Sequence, residues 1–277
     1  VVDALLGTGL RGPVTGGARE LIAWINGHGA QVVAVDVPSG LCGRTGRPLG
    51  IAVRADHTVT FAASKTGHWL HPGPEHVGRL RVVDIGLPPG LVPSHAAGRV
   101  VLGDRELAAA SAPRRLDAHK GRLGHLLVLA GAPGRSGAAR LAARAALRAG
   151  AGLVTTAVDA RVFPQVAAAA WEAMTELGPD PEATVEADVA RLRALVAQRS
   201  AWVVGPGLEP SPRTQALLQG LLPAVDRPAV VDAEALNQLA ATPALLGQGG
   251  QRVLTPHPGE AARLLGISRY ALRYRME

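Results

Sequence analysis

Residues 119–158 read HKGRLGHLLVLAGAPGRSGAARLAARAALRAGAGLVTTAV. Leu126–Ala130 is a short, continuous apolar run closed by Gly131. A run of that length bounded by glycine suits a strand buried on both faces. Gly131, Pro133, Gly134 and Gly137 then break the chain, and Ser136 is placed to cap a helix. Residues 138–149 are rich in Ala, Leu and Arg, all strong helix formers, before Gly150 and Gly152 stop the helix and Leu153–Val158 opens a second strand. Strand, glycine turn, helix, strand is a βαβ unit. Free N–H groups and the helix dipole make such a turn an anion site, although an ordinary unliganded βαβ turn reads the same way. Neither GxGxxG nor GxxxxGK[ST] is present, so no nucleotide fingerprint applies.

Downstream the alternation continues. Strands are expected near 126–131, 152–158, 201–205, 228–232 and 252–255, and helices near 137–149, 160–171, 184–198, 211–222, 234–241 and 258–266. Residues 178–183 read as an exposed loop. Regular alternation implies a parallel sheet with helices on both faces. Gly131, Gly205–Pro206–Gly207, Asp232 and the string from Thr255 to Glu260 then fall at expected carboxyl ends of strands. Ligands bind along that edge of open α/β sheets. Turn chemistry alone explains the glycines and prolines, and Asp232, Glu234 and Asn237 could cap the next helix.

Upstream, VVDALLGTGLRGP reads as a strand and glycine turn, residues 17–26 as an amphipathic helix and residues 31–37 as the next strand, closed by Pro38–Ser39–Gly40. Asp3 and Asp36 are embedded in apolar runs, so each must be paired, hydrogen-bonded or ligand-bound. Pro88, Pro89, Gly90 and Pro93 mark a linker to about Gly98, so the expected domains are residues 1–98 and 99–277.

Composition narrows the classes. One cysteine, Cys42, excludes an internal disulfide framework and a cysteine-based zinc site, and fits a reducing cytoplasm. No apolar run is long enough to span a membrane, so no membrane role is expected. The net charge of +7 is spread without a basic block, and aromatics make up 3%, which argues against nucleic-acid binding. Of 29 basic residues only Lys65 and Lys120 are lysine, both in glycine-flanked strings, SKTG and HKGRLG. A chain that uses arginine elsewhere keeps lysine where a compact ammonium is needed, or by chance.

The wording of these strings resembles two enzyme families. HKG, SGAA, LRAGAGLV, VVGPGL, AVVDAEALN and VLTPHPGEAARLLG resemble successive motifs of the ADP-dependent NAD(P)H-hydrate dehydratases, which are ribokinase-like. VVDALLGTGLRG, VAVDVPSGL, ADHTVTFAASKTG and GRLRVVDIGLP resemble the NAD(P)H-hydrate epimerases, a domain often fused ahead of the dehydratase. The resemblance implies an α/β fold of two doubly wound, mainly parallel, three-layer domains: part of a Rossmann-like epimerase domain, then part of a ribokinase-like dehydratase domain. It implies nicotinamide nucleotide repair, in which R and S hydrates are interconverted and the S form is dehydrated. Asp3 and Ser39 would help hold a potassium ion (K+), and Gly7, Thr8, Gly9, Leu10, Arg11, Gly12 and Pro13 would cradle the phosphate-bearing substrate. Asp36 would contact substrate and transfer the proton, and Ala138, Gly207 and His257 would line the hydrated nucleotide. Lys65, Lys120, Asp232, Asn237 and Glu260 are secondary candidates. ADP (or ATP) with Mg2+ would activate the hydroxyl, the partners being NAD(P)H hydrate and an adenine nucleotide, in a homo-oligomeric cytoplasmic enzyme.

The resembled families also carry an asparagine- and glycine-rich loop ahead of the first motif, a lysine-containing nucleotide segment and a GTGD string with the dehydratase base. None occurs in these 277 residues. The expectation is therefore a fragment truncated in both domains, inactive and poorly soluble alone. Two other readings share the motifs: a ribokinase-like small-molecule kinase, marked by a stable phosphorylated product, and a non-catalytic nucleotide-binding or scaffold protein, marked by binding without turnover.

Overall fold

A computed structural model describes residues 1–88, 90–92, 101–110, 117–169 and 172–267. Most of the expected linker and the 98/99 boundary lie outside these residues, as do the end of the helix expected to reach 171 and the stretch from 268 onwards. The described residues form two compact units.

In the first unit, four parallel strands, β1 (Val2–Asp3), β2 (Val33–Val35), β3 (His57–Phe61) and β4 (Arg79–Val83), lie in the order β1-β2-β3-β4. Among the described residues this sheet follows chain order without reversal. The helix Gly16–Gly27 buries Ile22 and Ile25 against Val14, Val32, Ala34, Val53 and Ala55. Full burial of two isoleucines contributes roughly 2–3 kcal/mol apiece. β2 ends sooner than the apolar run suggests because Asp36 has φ +67°, which turns the chain out of the extended region.

The second unit has six parallel strands: β5 (His125–Leu129), β6 (Leu153–Val158), β7 (Met174–Leu177), β8 (Ala201–Val204), β9 (Ala229–Val231) and β10 (Arg252–Leu254). Their order is β10-β9-β8-β5-β6-β7. The chain builds outward from β5 to β7, then returns to place β8 on the other side of β5. Leu129 pairs in register with both Ala157 of β6 and Val204 of β8. Alternate side chains of β5 serve two cores. Leu127 and Leu129 pack with Leu192, Leu217 and Leu236 from the helices Val185–Ala197, Pro212–Leu221 and Glu234–Leu239. Val128 and Ala130 pack with Ala139, Ala143 and Val166 from the helices Ser136–Ala149 and Phe163–Ala169. This unit is therefore a doubly wound three-layer α/β fold.

Three local expectations need correction. Ser136 is the first helical residue and Arg135 the cap, without a side-chain cap bond. The turn is closed instead by the Arg135 N–H donating to Ala132 O at 2.8 Å. β7 was not anticipated because it is an edge strand with mostly exposed side chains and no continuous apolar run. The 178–183 segment is only partly exposed. Gly178 is packed on the Val158 backbone, and Asp180 O accepts from Arg213 Nη2 at 2.7 Å. Among the described residues no helix is long and apolar enough to cross a membrane.

Candidate functional site

In the second unit the return from β7 to β8 creates a topological switch point between β5 and β8, where open α/β sheets bind ligands. The loops leaving these strands meet there. The Gly131 N–H donates to Pro206 O at 2.9 Å, and Arg135 Nη1 donates to Leu208 O at 3.0 Å. Gly205 (φ +120°) and Gly207 (φ +67°) both need glycine. A Cβ on Gly205 would lie 1.8 Å from Asp232 O, and one on Gly207 would lie 2.8 Å from Ala138 Cβ. Ala138 and Gly207 are thus brought into contact, and Gly205 is pressed on the turn after β9.

That turn carries Asp232, whose Oδ1 accepts from Thr255 Oγ1 at 2.8 Å, and Ala233, a non-glycine residue at φ +50°. Asp232 does not cap the following helix; Ala233 occupies that place without a side-chain bond. Asn237 accepts from Arg263 Nη1 at 2.5 Å and so ties the helix Glu234–Leu239 to the helix Pro258–Leu264. His257 caps the latter helix: its Nδ1 accepts from the N–H groups of Gly259 (2.9 Å) and Glu260 (3.4 Å). Nδ1 is therefore unprotonated, and the other ring nitrogen lies 3.2 Å from Glu260 Oε1. The His257 side chain stays 61% exposed, whereas Glu260 is buried and accepts from the His257 N–H at 2.9 Å. Glu260 completes the cap; His257 offers an open ring face.

A cavity of about 90 Å³ lies beside these loops, among Gly131, Asp159, Arg161, Leu208, Glu209 and Arg213. Arg161 there donates to Asp159 at 2.9 and 2.7 Å and to Glu209 at 2.5 Å, a network that no sequence motif signalled. Lys120 lies elsewhere. Its turn, Lys120–Leu123, packs on Gly152 at the amino end of β6, and the lysine itself is exposed at the opposite edge of the sheet.

The first unit gathers its candidates at the carboxyl ends of β1, β2 and β3. Asp3 is 1% exposed; Oδ2 accepts from the Ser39 N–H at 2.8 Å and Oδ1 from Ser39 Oγ at 2.6 Å. Among the described residues no cationic side chain pairs with this buried carboxylate. The loop carrying Gly7, Thr8, Gly9, Leu10, Arg11, Gly12 and Pro13 leaves β1 mostly exposed. Thr8 and Lys65 both approach Gly43, within 3.8 Å of where its Cβ would stand. Asp36 forms an ion pair with Lys65 and accepts from Thr60 Oγ1 at 2.9 Å. Burial pushes its carboxyl up, but hydrogen bonds from Lys65 and Thr60 and the Lys65 charge outweigh it and hold the pKa below the ordinary value. The lysine singled out by its rarity thus meets the candidate aspartate. His68, three residues on, was not anticipated; a single histidine in SKTGH carries no spacing signal.

The fold and this geometry define a class: a doubly wound α/β unit with a topological switch point, preceded in the chain by a parallel α/β unit that carries a buried aspartate and an aspartate–lysine pair. The chain belongs to the NAD(P)H-hydrate dehydratase family, whose model matches residues 126–275. The model for the YjeF-related protein N-terminus matches residues 1–67. The bifunctional NAD(P)H-hydrate repair enzyme of Moorella thermoacetica is 45% identical over 271 residues, covering 97% of this chain and 51% of that protein. Its counterpart from Coxiella burnetii is 42% identical over 276 residues, covering 97% and 52%. The chain thus spans about half the length of the curated relatives it matches. A crystal structure of hypothetical protein SMU.573 from Streptococcus mutans shares the fold, with a TM-score of 0.51 and 26% identity over 64% of this chain and 63% of that one.

Proposed function

We propose that the chain carries parts of both sites of a nicotinamide nucleotide repair enzyme: an epimerase part in the first unit and an ADP-dependent dehydratase part in the second. The observation that carries this reading is the row of matching strings along one sheet edge. Ala138 touches Gly207, Gly205 abuts Asp232, and Asp232 bonds Thr255, two residues from the exposed His257 ring.

In the dehydratase part, Ala138 and the glycine turn shape an apolar wall for the hydrated ring, and His257 meets it with a polar face. An adenine nucleotide, ADP or ATP, would supply the activating phosphoryl group. Magnesium would arrive with those phosphates, which provide many of its ligands. Among the described residues no cluster of three His, Cys, Asp or Glu side chains stands ready for a metal.

In the epimerase part, Asp36 is the proton acceptor, ionised at neutral pH by its neighbours. Potassium fits beside Asp3 and Ser39. A buried carboxylate without a cationic side chain is costly, and the serine hydroxyl and the Leu6 carbonyl, 3.2 Å from it, are hard oxygen donors. The ion would supply the missing positive charge. The lone cysteine fits a cytoplasmic setting.

Calorimetric titration of this chain with NADH hydrate and with NADH tests the reading. Preferential binding of the hydrate is expected, with the second unit's share lost in Ala138→Trp; equal or absent binding overturns it. Incubation with ADP or ATP, Mg2+ and hydrate adds a second readout. A stable phosphorylated product would favour a kinase instead.

A further inference from the structure

Lys65 and His68 form an arrangement that the reading above does not use. Lys65 Nζ bonds Asp36 and donates to Thr60 Oγ1 at 2.8 Å and Phe61 O at 3.2 Å, so the ammonium is held between the carboxyl ends of β2 and β3. Its backbone N–H donates to His68 Nδ1 at 3.2 Å. That bond leaves the imidazole proton on Nε2. His68 is 2% exposed, and its Nε2 has no hydrogen-bond partner of good geometry although it faces the backbone of Asp36. A buried, unpartnered ring nitrogen costs stability and calls for a reason. Here the ring holds the lysine's backbone while the lysine's ammonium pairs with the aspartate, itself held at φ +67°.

We propose that Lys65 is the acid partner of Asp36 in epimerisation and that His68 is the positioning residue that presents the two together; this rests on the epimerase reading. The hydrated carbon bears a hydroxyl and the ring nitrogen, so it is a carbinolamine. Asp36 removes the hydroxyl proton, and those electrons form C=O. The C–N bond breaks toward nitrogen, which takes a proton from the Lys65 ammonium. Rotation exposes the other carbonyl face. Nitrogen then attacks carbon, its proton returns to the Lys65 amine, and the carbonyl oxygen recovers the proton held by Asp36. Atoms and charge balance over the cycle, and no further reagent is required. A carboxylate alone would have to carry the hydroxyl proton across to the departing nitrogen; an ammonium bonded to it supplies that proton without the transfer.

The test uses the whole chain, with wild type, Lys65→Met, Lys65→Arg, His68→Leu and His68→Asn. Two quantities are followed: the carboxyl titration of Asp36 by 13C NMR, assigned with Asp36→Asn, and the interconversion of R and S NADH hydrate by 1H NMR. Lys65→Met is expected to raise the Asp36 titration and lower kcat by about 100-fold with KM little changed. His68→Leu shifts the titration the same way and lowers kcat about tenfold, and His68→Asn, which keeps an acceptor for the Lys65 N–H, restores most of both. An active wild type whose Lys65→Met form keeps its kcat refutes the Lys65 assignment alone. A folded His68→Leu form with unmoved titration refutes positioning. A wild type whose Asp36 titration shows the Lys65 coupling, yet which leaves the hydrates at their starting ratio, refutes the epimerase reading and the catalytic role with it.

Discussion

Asp36 and His68 are neighbours whose pKa values are both held below their ordinary values, by different forces. For Asp36, burial opposes the ionised form and is outweighed by bonds and charge from Lys65 and Thr60; for His68, burial and the Lys65 charge both oppose protonation, with Asp36 acting the other way. A depressed folded pKa adds stability above the unfolded value, and that stability is lost as pH falls through the folded value. The first unit should therefore weaken in two steps on acidification: below the ordinary histidine value of 6.5, then below the ordinary aspartate value of 3.8. Urea midpoints measured against pH should show the upper step reduced in His68→Asn and the lower step removed in Lys65→Met. His125 shifts in the same sense but is untouched by either change, so differences from wild type belong to Asp36 and His68, and Lys65→Met should also reduce the upper step because the Lys65 charge opposes His68 protonation. Asp188 offers a simpler case. It is 1% exposed and pairs with Arg191 and with Arg213, the latter at 2.6 Å. Asp188→Ala should cost on the order of 3 kcal/mol, read from chemical denaturation, because it strands partly buried cations.

The loops show how one φ sign can have two consequences. Gly205 and Gly134 both have positive φ, but a Cβ on Gly205 would lie 1.8 Å from Asp232 O whereas one on Gly134 meets nothing within 4 Å. Gly134→Ala should cost only about 1–2 kcal/mol, the left-handed penalty. Gly205→Ala should cost more than about 3 kcal/mol, since the β8 and β9 loops must move apart. Denaturation of the two variants side by side checks this. His257 separates structure from binding on one element. Asn is a strong helix N-cap, so His257→Asn should keep the melting temperature within a few degrees. If the exposed ring serves the ligand, hydrate binding should fall about tenfold, the loss of roughly one good hydrogen bond. Unchanged binding would leave His257 as a cap alone.

At the scale of the whole molecule, the edges of the sheets matter most. Val2 of β1 is 71% exposed and Val253 of β10 is 60% exposed, and each lies on an edge strand among the described residues. Exposed apolar edges template association. Light scattering should show concentration-dependent association that falls in Val253→Lys; a monodisperse chain with a sharp, reversible melt would count against it.

Much of this organisation was legible in the sequence. Continuous apolar runs such as Leu126–Ala130 mark strands covered on both faces, and glycine stops mark their ends, because periodicity and turn chemistry are local properties of a chain. That is why β5, β6, β8, β9 and β10 were found and β7, half exposed at an edge, was not. The strings at 3–13, 36–39, 205–207, 232 and 255–260 were also legible, as was the rarity of Lys65. Tertiary structure alone decided which of them meet. It put Lys65 on Asp36 and Lys120 at the far edge, joined Asp3 to Ser39, and made Glu260 a buried cap. It also placed the unanticipated His68 behind the ion pair. The Glu260 cap and the Lys65–His68 bond each span three residues and are local. For Lys65 with Asp36 and Asp3 with Ser39, strand order and loop closure set the distances across 29 and 36 residues of chain, and no local pattern encodes them, because those interactions exist only once the parallel strands are side by side.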